Sequence, residues 1–333
     1  MPSIPVIVAS LLICLSSNSI AGDLFDMLQR MSDADLKQNY QGTFILRKSD
    51  ELSTLRVLHG SDKNGMWESL EALNGEPNKV VRRNNRVISI FPERELVTIR
   101  HASGKQPLHP QLPANINQLE LFYTINRLDD DRIANHQTLV VDLIPKDKLR
   151  YGYRYWVDKE TGMLLRCDLV SEDETVVEQM MFTSLSYLQN SPEPTVKLSQ
   201  FAEFKQQVFE KPDIEKEPLQ TKWAVKRLPK GFVLTQKTMR YSKAVRNNSK
   251  NIDDGEKQAP DLLHLVYSDG LASVSVFIEQ SQGVDGHMQG ASTMGAINAF
   301  GNLIEDYFVT VVGEVPGKTV QSMAQSTIQT PTR

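Results

Sequence analysis

The chain has 333 residues, 37 Lys and Arg against 41 Asp and Glu, a net charge of −4 at neutral pH, and 40% hydrophobic residues. That length allows about two domains, each with its own core. The mild acidity excludes a chain built as a whole to hold nucleic acid, and the composition excludes a fibrous or disordered protein.

Residues 1–21 contain no Lys, Arg, Asp or Glu, and Ile4 to Leu15 is mostly apolar. The run is too short to span a bilayer and has the form of a signal-peptide core. Ser19-Ile20-Ala21 supplies a small-x-small pattern, so residues 1–21 are expected as a signal peptide cleaved after Ala21. The alternative is a retained membrane anchor, since the only positive charge ahead of the run is the terminal amine. Cys14 raises a lipoprotein reading, but Ile13 stands where a small residue is required. After cleavage Cys167 is the one cysteine left. No intramolecular disulfide is then possible, and an exported chain of that kind suits a bacterial periplasm.

Asp23 to Gln38 is expected as a helix, with Leu24, Met27, Leu28, Met31 and Leu36 along one stripe. From Tyr40 the period changes to two. Tyr40–Lys48, Leu52–Gly60, Gly65–Leu73, Lys79–Arg83 and Arg86–Phe91 read as strands, punctuated by Asn and Gly pairs that tolerate positive φ. Gly104 to Pro113 is a Pro-rich loop, Asn115 to Phe122 a short helix, and Asp129, Asp130 and Asp131 an acidic hairpin tip. Thr138 to Ile144 is a strand. Tyr151 to Leu169 is a hairpin across the turn Asp158–Gly162, with Tyr153, Tyr155 and Val157 on one face and Arg154, Trp156 and Asp158 on the other. Met163, Leu165, Cys167 and Leu169 share a face on its second arm. Val176 to Tyr187 follows. Strands succeed strands without helices between them, so an antiparallel meander of about nine or ten strands is expected. A sheet of that size curls.

Residues 191–221 are expected as a linker: Pro192, Pro194, Pro212 and Pro218 frame a short helical run from Val196 to Phe209. Residues 222–333 form a second domain. Its strands are expected at Phe232–Tyr241, Leu262–Tyr267, Ala272–Gln280, Ala296–Gly301 and Tyr307–Val312. Loops are expected at Ser242–Pro260 and Gly283–Gly295, and a helix at Pro316–Ser326.

Sites for chemistry are scarce. Gly313-Glu-Val-Pro-Gly-Lys318-Thr319 has the setting of a phosphate loop, but it is one residue short between its glycines, and Pro316 removes an N–H. The six histidines form no helical pair and no cysteine cluster exists, so no metal or cofactor site is read. No G-x-S-x-G elbow is present. Two binding features remain. The concave side of the sheet, lined by Phe44, Leu46, Val141, Leu143, Tyr153, Tyr155, Leu165 and Leu169, admits an apolar ligand, unless helices of the same chain fill it. Lys222, Lys226, Arg227, Lys230, Lys237, Arg240, Lys243, Arg246 and Lys250 occur without one Asp or Glu between 222 and 250. Lys222, Lys226, Arg227, Lys230 and Arg240 are the candidates for docking an acidic polypeptide or anionic headgroup; a solvated face is the alternative.

The sequence resembles the RseB/MucB family of periplasmic regulators of the envelope-stress sigma factor. The resemblance is carried by NYQGTFILRK at Asn39–Lys48, RYGYRYWVDKETGMLLRCDL at Arg150–Leu169, EQMMFTSL at Glu178–Leu185, LPKGF at Leu228–Phe232, HLVYSDGLASVSVFIE at His264–Glu279 and VTVVGEVP at Val309–Pro316. It implies an α+β chain: an unclosed antiparallel half-barrel like those of the lipoprotein carriers LolA and LolB at 22–190, sensing lipid, and a smaller mixed α/β domain at 222–333. It implies a non-enzymatic partner of the periplasmic domain of a membrane-bound anti-sigma factor of the RseA/MucA type. Binding would shield that partner from site-1 proteolysis, and a lipid or lipopolysaccharide-like ligand would release it. Homo-oligomers are implied as well, and nucleic acid is not. The hairpin alone also fits a periplasmic lipid or lipoprotein carrier, which is the second reading.

Overall fold

The first lobe is one open sheet of twelve strands. They are β1 (Tyr40–Lys48), β2 (Glu51–Asp62), β3 (Gly65–Ala72), β4 (Lys79–Arg83), β5 (Arg86–Phe91), β6 (Leu96–His101), β7 (Tyr123–Ile133), β8 (His136–Pro145), β9 (Gly152–Asp158), β10 (Leu164–Val170), β11 (Val176–Tyr187) and β12 (Lys205–Phe209). The spatial order is β12-β6-β5-β4-β3-β2-β1-β11-β10-β9-β8-β7. Every neighbouring pair is antiparallel except β12 on β6. The end strands β7 and β12 do not pair, so the sheet is an unclosed half-barrel, as expected. In this computed structural model the described residues are 24–330 without 25, 32–33, 35–36, 64, 84, 102–115, 193–197, 210–220, 241–261 and 282–288. The expected signal peptide, the Pro-rich loop and the polar loop at 242–260 lie outside them, as do Lys243, Arg246 and Lys250.

Helices are few. The described helical residues between 24 and 37 (α1) place Leu24, Met27, Leu28 and Met31 against the sheet. Burying four such side chains is worth roughly 6–12 kcal/mol as an upper bound, which explains why the apolar stripe and not intrinsic propensity holds this helix in place. Ile116–Leu121 forms a 3-10 turn where a short helix was expected.

Three expectations change. Asp129–Asp131 is no hairpin tip: it lies inside β7, beside a register shift between Leu128 and Asp131. The tip is Ala134-Asn135, both at positive φ (48° and 71°), as a tight two-residue hairpin requires. β7 escapes pattern reading because it is an edge strand, exposed from Asn126 through Arg132 apart from its ends, and carries no alternation. Lys205–Phe209, expected as the end of a helical run in the linker, is the outer strand β12 and is exposed at all its positions. Gly290–Met294, expected within a loop, is also an exposed edge strand.

The second lobe has a ladder of β13 (Trp223–Val225) with β20 (Thr327–Gln329). Its main sheet contains β14 (Val233–Arg240), β15 (Leu262–Ser268), β16 (Ser273–Gln280), β17 (Gly290–Met294), β18 (Ile297–Ile304) and β19 (Tyr307–Gly313), in the order β14-β15-β16-β19-β18-β17. Helix α2 (Gly317–Gln325) lays Val320, Met323 and Ala324 into one core with Leu265, Val276 and Val311.

Candidate functional site

The inner face of the half-barrel brings five of the eight apolar candidates together. Val141, Leu143, Tyr153, Tyr155 and Leu169 share one core cluster with Leu24, Met27, Leu28 and Met31 of α1, Leu119, and Ala296 from the second lobe. The chain itself therefore covers this face. Phe44 and Leu165 belong to a neighbouring cluster with Trp156 and Phe182, and Leu46 is half-buried outside both. Leu165 is fully buried within that neighbouring cluster, at an irregular step of its strand. β10 bulges between Leu164 and Arg166, so Leu164, expected on the opposite face with Arg166 and Asp168, stands opposite Val157 and joins the first cluster. Strict alternation cannot foresee an inserted residue. Burial pushes the phenols of Tyr153 and Tyr155 well above their ordinary range. Tyr155 Oη and Thr138 Oγ1 are buried without a hydrogen-bond partner.

The outer face of the same strands carries charged pairs set around the buried Trp156 and Val140. Arg154 donates to both carboxylate oxygens of Asp142 at 2.6 and 2.9 Å. Arg166 does the same to Asp168 at 2.9 and 2.5 Å, and Gln179 adds a donor to Asp168 at 2.8 Å. The Arg166 guanidinium lies 4.0 Å from the Trp156 ring centroid, and Trp156 Nε1 donates to Asp131 at 2.9 Å. Asp131 of the β7 acidic run thus serves the indole, and Asp130 is held by Lys159 and Arg127. Among the described residues no group of three His, Cys, Asp or Glu could hold a metal. Asp158 ties the hairpin turn: it accepts from Tyr187 Oη at 2.6 Å and from the Glu160 amide at 2.9 Å, while Gly162 sits at φ 79°.

The junction of the lobes is the part that sequence reading missed. Arg150, between β8 and β9, is the centre. Its side chain and that of Asp269, in the β15–β16 turn, are both fully buried and form an ion pair. Arg150 also donates to Asp147 at 2.8 Å and to the Lys230 carbonyl at 2.7 Å. The rings of Phe122, Tyr123 and Phe232 surround its guanidinium at 5.2, 5.7 and 5.3 Å. Gly231, at φ 90°, lets the second lobe close on Phe122; a Cβ there would stand 2.2 Å from the ring. Around this centre Asn298 Nδ2 donates to Tyr151 Oη at 3.1 Å, Thr319 Oγ1 to the Leu149 carbonyl at 2.8 Å, and the Ala296 amide to Glu178 at 3.2 Å. Lys318, the lysine of the phosphate-loop look-alike, pairs with Glu172. Burial, and then the neighbouring Glu178, raise the Glu314 carboxyl above its ordinary value, against a smaller opposing effect of Lys48. A cavity of about 450 Å³ opens beside the junction, with Arg150, Asp147 and Tyr153 among its walls. Arg150 and Asp269 are 119 positions apart, so no local pattern joins them.

The basic strip begins at this junction. Lys222, Lys226, Arg227 and Lys230 are exposed. Their backbone is fixed: the Lys226 amide donates to the Ser326 carbonyl at 3.0 Å and the Arg227 amide to Ser326 Oγ at 3.0 Å. Lys237 is buried and does not join the exposed strip. Arg240 ends β14; its side chain lies outside the described residues.

A half-open sheet with an apolar inner face, locked to a smaller sheet domain bearing a cationic strip, defines a two-lobed binding scaffold. The chain belongs to the MucB/RseB family: the family's N-terminal domain matches residues 23–209 and its C-terminal domain residues 217–328. It is 30% identical over 311 residues to the sigma factor AlgU regulatory protein MucB of Pseudomonas aeruginosa, covering 92% of this chain and 91% of that one. It is 24% identical over 322 residues to the sigma-E factor regulatory protein RseB of Haemophilus influenzae, covering 95% of each. A crystal structure of MucB in complex with MucA(peri) matches with a TM-score of 0.66 at 28% identity, over 93% of this chain and 100% of that one. The family is one of regulatory binding proteins.

Proposed function

We propose that this protein works in the periplasm, where it holds the periplasmic part of a membrane-bound anti-sigma factor, shields it from site-1 proteolysis and releases it on meeting a lipid-type signal of envelope stress. It acts by binding and carries out no catalytic step. The observation that carries this reading is likeness along both lobes to a sigma-factor regulatory protein whose structure is solved with MucA(peri). In this reading residues 22–190 sense the lipid, 191–221 connect and lend β12 to the first sheet, and 222–333 engage the partner, with Lys222, Lys226, Arg227, Lys230 and Arg240 steering an acidic segment. The lipid face is the one now filled by α1, so a lipid chain enters as that helix gives way. A ligand shifts the equilibrium only by its preference for one state. The lipid must therefore bind the free protein more tightly than the complex.

The test uses the mature chain and the periplasmic fragment of the anti-sigma factor from the same genome. Tight association is expected. Glutamate at positions 222, 226, 227 and 230 should slow association roughly 10-fold or more at low salt and flatten its salt dependence. No binding by the wild-type pair refutes the function. Binding with unchanged rates in the variant removes the basic strip from the interface.

A further inference from the structure

We infer that the Arg150–Asp269 clasp makes the junction a reversible hinge: it selects one orientation of the lobes, and release of this single pair frees two intact bodies to reorient. Four observations carry this. Each lobe has its own apolar core, and among the described residues the second lobe lends the cores of the first Ala296 and the half-buried Leu271. Apart from Phe122, packed against Gly231, and Phe232, both over the Arg150 guanidinium, the described junction contacts are hydrogen bonds and ion pairs, the composition of a joint that moves rather than of a core cut in half. A fully buried ion pair adds little net stability, because desolvation offsets the attraction, but it tolerates only one geometry.

The fourth observation concerns the open state, which leaves no stranded charge. Arg150 keeps Asp147 and the rings of Phe122 and Tyr123, all on its own lobe. Asp269 keeps the Leu271 and Ala272 amides, which its Oδ1 accepts at 2.9 and 2.8 Å. Only Oδ2 faces Arg150 and Tyr123. The carboxylate therefore has one oxygen for its own turn and one for the other lobe. Opening costs the interlobe contacts and returns Oδ2 to water, while both local structures persist.

That division of labour supplies a clean variant. Asp269→Asn can retain the Oδ1 bonds of the turn while placing an NH₂ group against the donors of Arg150. The reporter is the Ala296 amide, whose acceptor, Glu178, is on the other lobe. Residue-resolved hydrogen exchange should show Ala296 exchanging about tenfold faster or more in Asp269→Asn. Strands β9 and β16 should keep wild-type protection, and small-angle scattering should report a broader envelope. Unchanged exchange at Ala296 overturns the hinge. So does loss of protection in β9 or β16 in step with Ala296, because the lobes would then unfold with the joint. If Asp269→Asn does not accumulate, the wild-type chain decides: Ala296 must open at lower free energy than β9 and β16, and equal protection refutes the inference.

Discussion

Removing one hydroxyl from the inner face should make this protein more stable. Tyr155 is fully buried, and its Oη has no hydrogen-bond partner. Folding therefore strips water from a phenol and returns nothing for it, a penalty of about 1–3 kcal/mol. Tyr155→Phe deletes that group and leaves the ring in place beside Tyr153, whose centroid is 5.9 Å away, so the void created is minimal. A gain of about 1–3 kcal/mol is expected, or on the order of 2–12 °C in midpoint for a lobe of this size. The assay is urea unfolding followed by tryptophan fluorescence, with the midpoint rising at unchanged slope. Tyr187→Phe is the control of opposite sign: it loses bonds to Asp158 at 2.6 Å and Thr161 at 2.7 Å and should destabilise by about 1–3 kcal/mol. If Tyr155→Phe destabilises by about 1 kcal/mol or more, the hydroxyl has a partner in solution and the burial argument fails.

Two further outcomes follow from the buried ionisable groups. Burial and Glu178 raise the Glu314 carboxyl in the folded protein, so ionising it opposes the fold. The wild type should lose stability as pH rises from the ordinary carboxylate range through the raised value. Glu314→Gln should be more stable than wild type above that window and converge with it below; a gap constant from pH 4 to 7 would show that Glu314 does not titrate differently on folding. Burial likewise pushes the Cys167 thiol far up, so an aromatic disulfide reagent at pH 8 should label it only after denaturation. Rapid labelling of the native chain would place Cys167 at an accessible surface.

Much of the first lobe was legible because its central strands alternate apolar with polar or aromatic residues. Tyr153, Tyr155 and Val157 face inward, and Arg154 and Trp156 outward, as the period of two requires. The stripe of α1 and the Gly162 turn were equally readable. The edge strands were not. β12, β17 and the Asn126–Arg132 stretch of β7 are mostly exposed, and with little burial to impose a pattern, Asp129–Asp131 read as a tip and Lys205–Phe209 as part of a helical run. Leu164 was expected on the face of Arg166 and Asp168 and instead stands opposite Val157, because a bulge is a backbone event that side-chain alternation does not encode.

Local rules acting on near neighbours were enough to determine the strand-rich first lobe, the separate second domain, the hairpin at Tyr151–Leu169 and the run of cations after Lys222. Tertiary structure alone decided which cations face solvent and where the lobes meet. It buried Lys237 and left Lys222, Lys226, Arg227 and Lys230 in solvent. It also carried Arg150 to Asp269 across 119 positions of chain. A lone arginine and an aspartate in a Ser-Asp-Gly turn look like ordinary surface residues until folding removes both from water. Their pairing is a consequence of desolvation, and desolvation is a property of the packed molecule.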